Sequence, residues 1–410
     1  MAIPRLFKSD TPAAALTAFE VARLPAVSFG PGRIGQLPAE IRRFGQTALL
    51  ITGGRSFVES EHWSPLTGAL QAQGVEWHHE TIRGEPSPER VDSIVDHYRA
   101  QSIDVVVGIG GGSPLDAAKA IAGLLRTGTS VMDHLEGVGR GQPYTGPAVP
   151  MIAVPTTAGT GSEATKNAVL SQPGANGFKK SFRDDQLVPA LALLDPDLLA
   201  SCPKSQIAAN GMDAFTQLLE SYVSANASPF TDALAWSGLQ SFRAGFWPAW
   251  EPGHPESAAG YGHMLYAAWL SGVTLAQAGL GSVHGLASPL GAFFPIPHGV
   301  VCGTLVAAAS AVNISALQAR APDSQALPRY AEVGRLLTGD ASLTDPAALT
   351  ALVDTLNSWT ERLQIPRLSA YGVTRDDFAR ICANARGGSM KTNPIVVTDE
   401  ELERVLERRL

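Results

Sequence analysis

A chain of 410 residues is long enough for about two domains. Its 45% hydrophobic content, with 41 glycines and 29 prolines, is that of a large globular enzyme and excludes a disordered or fibrous protein. A net charge of −7 leaves no basic surplus to neutralise phosphates, which excludes nucleic acid and an anionic membrane surface as the main partner.

Met1 to Val21 carries Arg5, Lys8, Asp10 and Glu20 among its apolar residues. No continuous hydrophobic leader is therefore expected, and the expected location is the cytoplasm. Leu24–Phe29 reads as a short strand closed by Gly30-Pro31-Gly32, and Ile34–Phe44 as an amphipathic helix. Thr47–Thr52 is an apolar run of strand length stopped by Gly53-Gly54. His62–Gln73 suits a helix and Val75–Ile82 a strand. Pro88–Gln101 is helical, with Val91, Ile94, Val95 and Tyr98 on one stripe. Asp104–Ile109 is the cleanest buried strand. It runs into Gly110-Gly111-Gly112-Ser113-Pro114 and a helix at Leu115–Leu125. Val149–Val154 is another apolar strand, leading into Pro155-Thr156-Thr157-Ala158-Gly159-Thr160-Gly161-Ser162-Glu163. After Lys179-Lys180, Leu191–Leu194 reads as a strand closed by Asp195-Pro196. Strands alternating with helices predict a parallel sheet covered on both faces. From Ser205 onward the pattern is helical, so the expected division is an α/β domain over 1–204 and an all-helical domain over 205–410.

A strand, then glycines, then a helix can bind phosphate: the glycines admit the anion and the helix start offers free N–H groups. Gly110-Gly111-Gly112-Ser113 has that form, although a plain structural turn has it too. The hydroxyl-rich loop Thr156–Glu163, at the end of a second strand, adds what a dinucleotide site needs. The spacing is not GxGxxG.

From Ser257 to Ala319 the chain carries no Asp, Glu, Lys or Arg, against 17% charged residues overall. Gly, Pro, Ser, Gln and His interrupt the run and no Lys/Arg cluster flanks it. It therefore reads as interior helices carrying a polar site rather than a membrane span. His284 and His298 lie within it, as a satisfied core pair or as metal ligands. Asp213 and Gln217, four apart, share a face of the helix that follows Asn210. Asp213, Gln217, His284 and His298 would make an N/O set suited to Zn²⁺ or Fe²⁺. Asp213 is equally explained as an early-helix charge. Cys202, Cys302 and Cys382 show no zinc or redox spacing and read as ordinary reduced thiols.

At these motifs the chain resembles the iron-containing (group III) alcohol dehydrogenases. The resemblance runs from Pro25-Ala26-Val27-Ser28-Phe29-Gly30-Pro31-Gly32 to Asn393-Pro394. It rests on Gly110-Gly111-Gly112-Ser113 with Asp116 and Lys119, the Pro155–Glu163 loop, Gly211-Met212-Asp213-Ala214, His284 and Pro297-His298-Gly299. It implies a Rossmann-like α/β domain and an all-α domain, the architecture shared with dehydroquinate synthase, with the active site in the cleft between them. It implies hydride transfer between a nicotinamide and a primary alcohol or aldehyde, a divalent Lewis acid, and a homodimer. Implied cofactor contacts are Gly53, Gly54, Arg55, Gly110, Gly111, Gly112, Ser113, Asp116, Thr156, Thr157, Thr160, Ser162, Lys180 and Leu198. The family's metal set is one Asp and three His, so Gln217 departs from it. Ser288 stands where a proton-relay His is common. The family's NAD-preferring members carry an Asp after the second strand. Here Gly53-Gly54-Arg55-Ser56 has no carboxylate, so NADP(H) is expected, with NAD as the alternative. Two rival functions remain. One is a lyase like dehydroquinate synthase, whose basic cleft residues Ser257–Ala319 does not supply. The other is a relative that kept the fold and lost the chemistry, suggested by Gln217 and Ser288.

Overall fold

The computed structural model describes residues 18–174 and 177–410. The expectation of no hydrophobic leader rests mostly on residues 1–17 and lies outside the described residues.

The strands in chain order are β1 (Ala26–Phe29), β2 (Thr47–Thr52), β3 (Glu76–Thr81), β4 (Val105–Gly110), β5 (Met151–Pro155), β6 (Asn167–Gln172), β7 (Phe178–Arg183) and β8 (Leu191–Leu194). Six of them form one parallel sheet in the order β1-β8-β5-β4-β2-β3. Helices α1 (Leu37–Phe44) and α2 (Trp63–Ala72) cover one face, placing Leu37, Ile41, Leu66 and Leu70 on Val105, Val107 and Ile109. Helices α3 (Pro88–Tyr98) and α4 (Gly112–Leu124) cover the other, placing Val91, Ile94, Leu115 and Ile121 on Val106. With both faces covered, β4 and β5 are buried at every residue, which is why they read as unbroken apolar runs.

Register then fixes where ligands can go. Thr52 pairs with Ile109, and Gly110 with Pro155, so β2, β4 and β5 end along one edge. The chain leaves β2 for β3 on one side and β4 for β5 on the other. This reversal opens a crevice outside the strand ends, where open α/β sheets bind ligands.

Three local readings need correction. The helix expected over Ile34–Phe44 starts with a 3₁₀ turn, Arg33–Gln36, and becomes α1 only at Leu37, beside Pro38. Helix α4 begins at Gly112, inside the glycine run, and not at Leu115. Strands β6 and β7 were not expected. They form a separate antiparallel hairpin whose β7 is mostly half-exposed, so FKKSFR carries no core pattern to read.

The helical half opens with α5 (Lys204–Val223), followed by α6 (Pro229–Trp250), α7 (Ser257–Ala278), α8 (Ser282–Phe293), α9 (His298–Arg320), α10 (Ala326–Thr338), α11 (Asp345–Arg362), α12 (Phe378–Asn384) and α13 (Asp399–Glu407). No strand occurs among the described residues after α5 begins. Helix α9 is long and apolar enough to cross a membrane, yet 83% of its apolar window is buried inside the fold. The absence of charge from Ser257 to Ala319 thus reflects helices packed on helices.

Candidate active site

A cleft of about 1300 Å³ separates the sheet edge from the helical half. Its sheet-side wall is the glycine turn after β4. Gly110 has φ +148°, and a Cβ there would lie 2.5 Å from Pro114 Cγ, so both backbone and space demand glycine. A Cβ on Gly112 would lie 2.8 Å from Thr160 Cγ2, so the turn and the Thr156–Glu163 loop touch. The Thr156 N–H donates to the Gly110 carbonyl at 2.9 Å and joins them again. The first turn of α4 lines the cleft and leaves the Gly112 and Ser113 N–H groups for an anion.

The expected cofactor residues separate into three groups. Gly53, Gly54, Gly110, Gly111, Gly112, Ser113, Thr156, Thr157, Thr160 and Lys180 line the cleft. Asp116 and Ser162 line it too, but bond to each other: Ser162 Oγ donates to Asp116 Oδ1 at 2.5 Å. Their role is to lock the loop to α4. Buried Lys119 completes the lock, reaching Thr165 Oγ1 at 2.9 Å and the Asn167 carbonyl at 2.6 Å. Arg55 and Leu198 lie outside the lining. Arg55 is 79% exposed and 3.5 Å from Glu59. Leu198 is 4% exposed, packed in the apolar layer with Ile109 and Val154, so it belongs to the core.

The opposite wall is built on α5. Asp213, Gln217 and Glu220 are buried and share one face at helical spacing. His284, in the first turn of α8, lies between two of them. Its Nδ1 is 2.6 Å from Glu220 Oε2 and its Nε2 is 3.2 Å from Asp213 Oδ1. Glu220 also accepts from the Val283 N–H at 2.7 Å. The pairing with Glu220 fixes the ring and turns Nε2 toward Asp213. His298 opens α9, with Nε2 3.8 Å from Asp213 Oδ1 and 25% of its side chain open to the cleft. Its buried Nδ1 has no partner among the described residues.

Gln217, the expected fourth ligand, lies beside Asp213 and is hydrogen-bonded on both sides. Its amide nitrogen donates to Asp213 Oδ1 at 3.1 Å, and its oxygen accepts from Ser271 Oγ at 2.7 Å. Cys302 Sγ lies beside the same donors, 3.6 Å from His284 Nε2 and 3.8 Å from His298 Nε2. Cys302, read from the sequence as an ordinary thiol, is a free buried cysteine beside both histidines. The available signal was its place four residues after His298, one turn along the same helix face. Donor atoms of Asp213, His284, His298 and Cys302 all lie within 4.8 Å of one another. A buried carboxylate, two imidazoles and a thiol so grouped fit a divalent ion. Burial pushes the Asp213 carboxyl up, but the charges of His298 and His284 outweigh it and hold it below its usual value. Burial pushes the Cys302 thiol up to about 12, so with no ion it keeps its proton. Ser288, one turn after His284, lines the cleft and donates to the Lys179 carbonyl at 3.3 Å. Lys179 pairs with Glu85 at 2.9 Å on the same wall.

Residues 25–196 match the iron-containing alcohol dehydrogenase family, and residues 207–410 match the C-terminal part of the Fe-containing alcohol dehydrogenase family. Alcohol dehydrogenase 4 of Schizosaccharomyces pombe is 31% identical over 382 residues, spanning 92% of this chain and 86% of that one. The 1-propanol dehydrogenase PduQ of Salmonella typhimurium is 32% identical over 379 residues, spanning 91% and 95%. The solved structure of an archaeal alcohol dehydrogenase from a Red Sea brine pool superposes with a TM-score of 0.86 at 26% identity, covering 96% of this chain and 99% of that one. With the dinucleotide loops on one wall of the cleft and the donor cluster on the other, the chain belongs to the iron-containing alcohol dehydrogenase family and is a nicotinamide-dependent oxidoreductase of alcohols and aldehydes.

Proposed function

We propose that the chain interconverts a small aldehyde and its primary alcohol with NADP(H), using a divalent ion held by Asp213, His284 and His298. One observation carries this reading. Three donors from sequence-distant helices converge on one wall of a cleft whose other wall is the glycine turn after β4. The cleft volume suits a nicotinamide dinucleotide with a small substrate beside it. Free N–H groups of α4 hold the pyrophosphate, and the hydroxyls of Thr157 and Thr160 position the dinucleotide across the cleft. When bound, the ion acts as a Lewis acid on the substrate oxygen. The surrounding apolar helices exclude water from the transfer. Ser288 Oγ and the Lys179–Glu85 pair supply exchangeable protons at the wall where the alcohol proton is gained or lost.

The direct test is NADPH-linked reduction of short aldehydes by the parent protein as isolated and after chelation, with metal content measured alongside. Activity should depend on metal. Full activity in stripped protein overturns the reading.

The cofactor choice rests on the turn after β2. Gly53 to Ser56 presents no carboxylate to repel a 2′-phosphate, and exposed Arg55, 3.5 Å from Glu59, would turn from that partner to reach the phosphate. NADPH should bind more tightly than NADH, and Arg55→Ala should narrow the gap by about 1–3 kcal/mol, the scale of a charge-assisted hydrogen bond. Equal affinity of the parent for both dinucleotides removes the basis for NADP. We also read the chain as a homodimer. Strand β1 is a sheet edge with Val27 and Phe29 exposed, the kind of surface a second copy covers.

A further inference from the structure

The metal reading leaves one corner to explain. The family pattern puts an imidazole at position 217, and this chain has a neutral amide there. Gln217 is engaged on both sides, by Asp213 and by Ser271 on α7. Oxygen, nitrogen and sulfur ligands around one ion at about 2.0–2.3 Å stand on the order of 3–4 Å from one another. Cys302 Sγ meets that requirement at 3.6 Å from His284 Nε2 and 3.8 Å from His298 Nε2.

A cysteine side chain is short, and it reaches this point because α9 lies unusually close to α5. A Cβ on Gly299 would lie 2.5 Å from the Ala209 carbonyl oxygen, and one on Gly303 3.1 Å from Met212 Cβ. These two glycines flank Cys302 and bring its backbone against the helix that carries Asp213. Charge points the same way. Asp213 with a Cys302 thiolate offers two negative charges to a divalent ion, whereas Asp213 with an amide offers one. The donors from α8 and α9 lie in a stretch with no charged residue at all, where an uncompensated charge is costly.

We propose that Cys302 is the fourth ligand of the divalent ion, with Gln217 a positioning residue for Asp213, so that this chain binds through one carboxylate, two imidazoles and a thiolate and selects Zn²⁺ over Fe²⁺. The inference rests on the metal reading above and sharpens it. A thiolate is a soft ligand and shifts selectivity toward zinc. On binding, the Cys302 S–H bond breaks, the S–metal bond forms and the proton leaves to solvent. Gln217 acts through Asp213, holding one carboxylate oxygen by its amide N–H.

Cobalt(II) makes the test visible, because a thiolate ligand gives a charge-transfer absorption that oxygen and nitrogen ligands lack. The parent, stripped and reloaded with Co²⁺, should show that band. Cys382→Ala should keep it, since Cys382 lies outside the donor cluster. Cys302→Ser, close in size, should lose it, and its zinc affinity should fall by about 100-fold or more, beyond what outer-shell changes cause. Circular dichroism checks that the variant is folded, and the parent's own band decides the matter even if it is not. Cobalt binding by the parent without the band, or zinc bound equally well by folded Cys302→Ser, overturns the proposal and leaves the metal reading standing. A parent that binds neither cobalt nor zinc overturns both.

Discussion

Glu163 shows how one residue can carry a pH dependence of the whole fold. It ends the dinucleotide loop, is 2% exposed, and its Oε1 has no partner among the described residues. Burial raises its pKa from 4.5 to about 7, more than the nearby Lys119 charge can offset. The folded state therefore holds a proton that the unfolded chain releases near pH 4.5. Stability from this group is present below pH 4.5 and is lost as pH rises toward 7, a loss of about 3 kcal/mol by linkage. Glu163→Gln should be more stable than the parent above pH 7, with the difference vanishing below pH 4.5. Urea denaturation at pH 5 and pH 8 measures this, and a constant difference across that range contradicts it. The sequence placed Glu163 at the end of a motif loop, but nothing in it showed that the carboxyl is buried. The histidines were legible because they break an apolar run. Cys302 offered only its place one turn after His298 in the same helix, a spacing that an ordinary core cysteine shares. The amide orientation of Gln217 depends on Ser271, a residue on a third helix.

At the scale of elements, the dinucleotide loop meets the helical half through two glycines. Gly161 has φ +60°, and a Cβ there would lie 2.4 Å from the Gly272 nitrogen. A Cβ on Gly272, in α7, would lie 2.1 Å from the Gly161 carbonyl oxygen. Both partners are backbone, so neither can swing aside. Gly272→Ala should cost about 1–3 kcal/mol, the range for overpacking, and weaken NADPH binding because the Thr156–Ser162 loop must move. Gly262, in the same helix, has nothing within 4 Å of its missing Cβ. Gly262→Ala should stabilise by about 0.5–1 kcal/mol through helix propensity alone. Opposite signs from the same substitution in one helix separate close contact from propensity; equal effects contradict the contact. The glycine turn after β4 was legible because a fully buried strand ran straight into it. The β6–β7 hairpin was not: β7 buries only Phe182, and in β6 the buried Ala168 and Leu170 flank the equally apolar Val169, so neither strand shows an alternating sequence.

At the scale of the whole molecule, the two ligands belong to different halves. The loops proposed for the dinucleotide come from residues before α5, and the donors proposed for the metal from α5, α8 and α9. Had the halves been joined only by the connection into α5, each would unfold alone. The apolar core argues otherwise. Ala158, Ala192, Leu194 and Leu199 of the α/β half belong to the same buried cluster as Met212, Leu265 and Val301 of the helical half. Ser271 Oγ reaches the Gly159 carbonyl at 3.4 Å, and Ser288 Oγ reaches the Lys179 carbonyl at 3.3 Å across the same junction. A continuous core unfolds as a unit, so calorimetry should show a single transition. A ligand that binds only the folded state stabilises by about 2.7 kcal/mol at a hundredfold excess over its Kd. Zinc and NADPH should therefore each raise the same transition, although they touch opposite walls of the cleft. Chelation should lower it again, and Asp213→Asn should abolish the response to zinc while keeping the response to NADPH. Two resolved transitions, with zinc moving one and NADPH the other, would show that the shared cluster does not couple the halves.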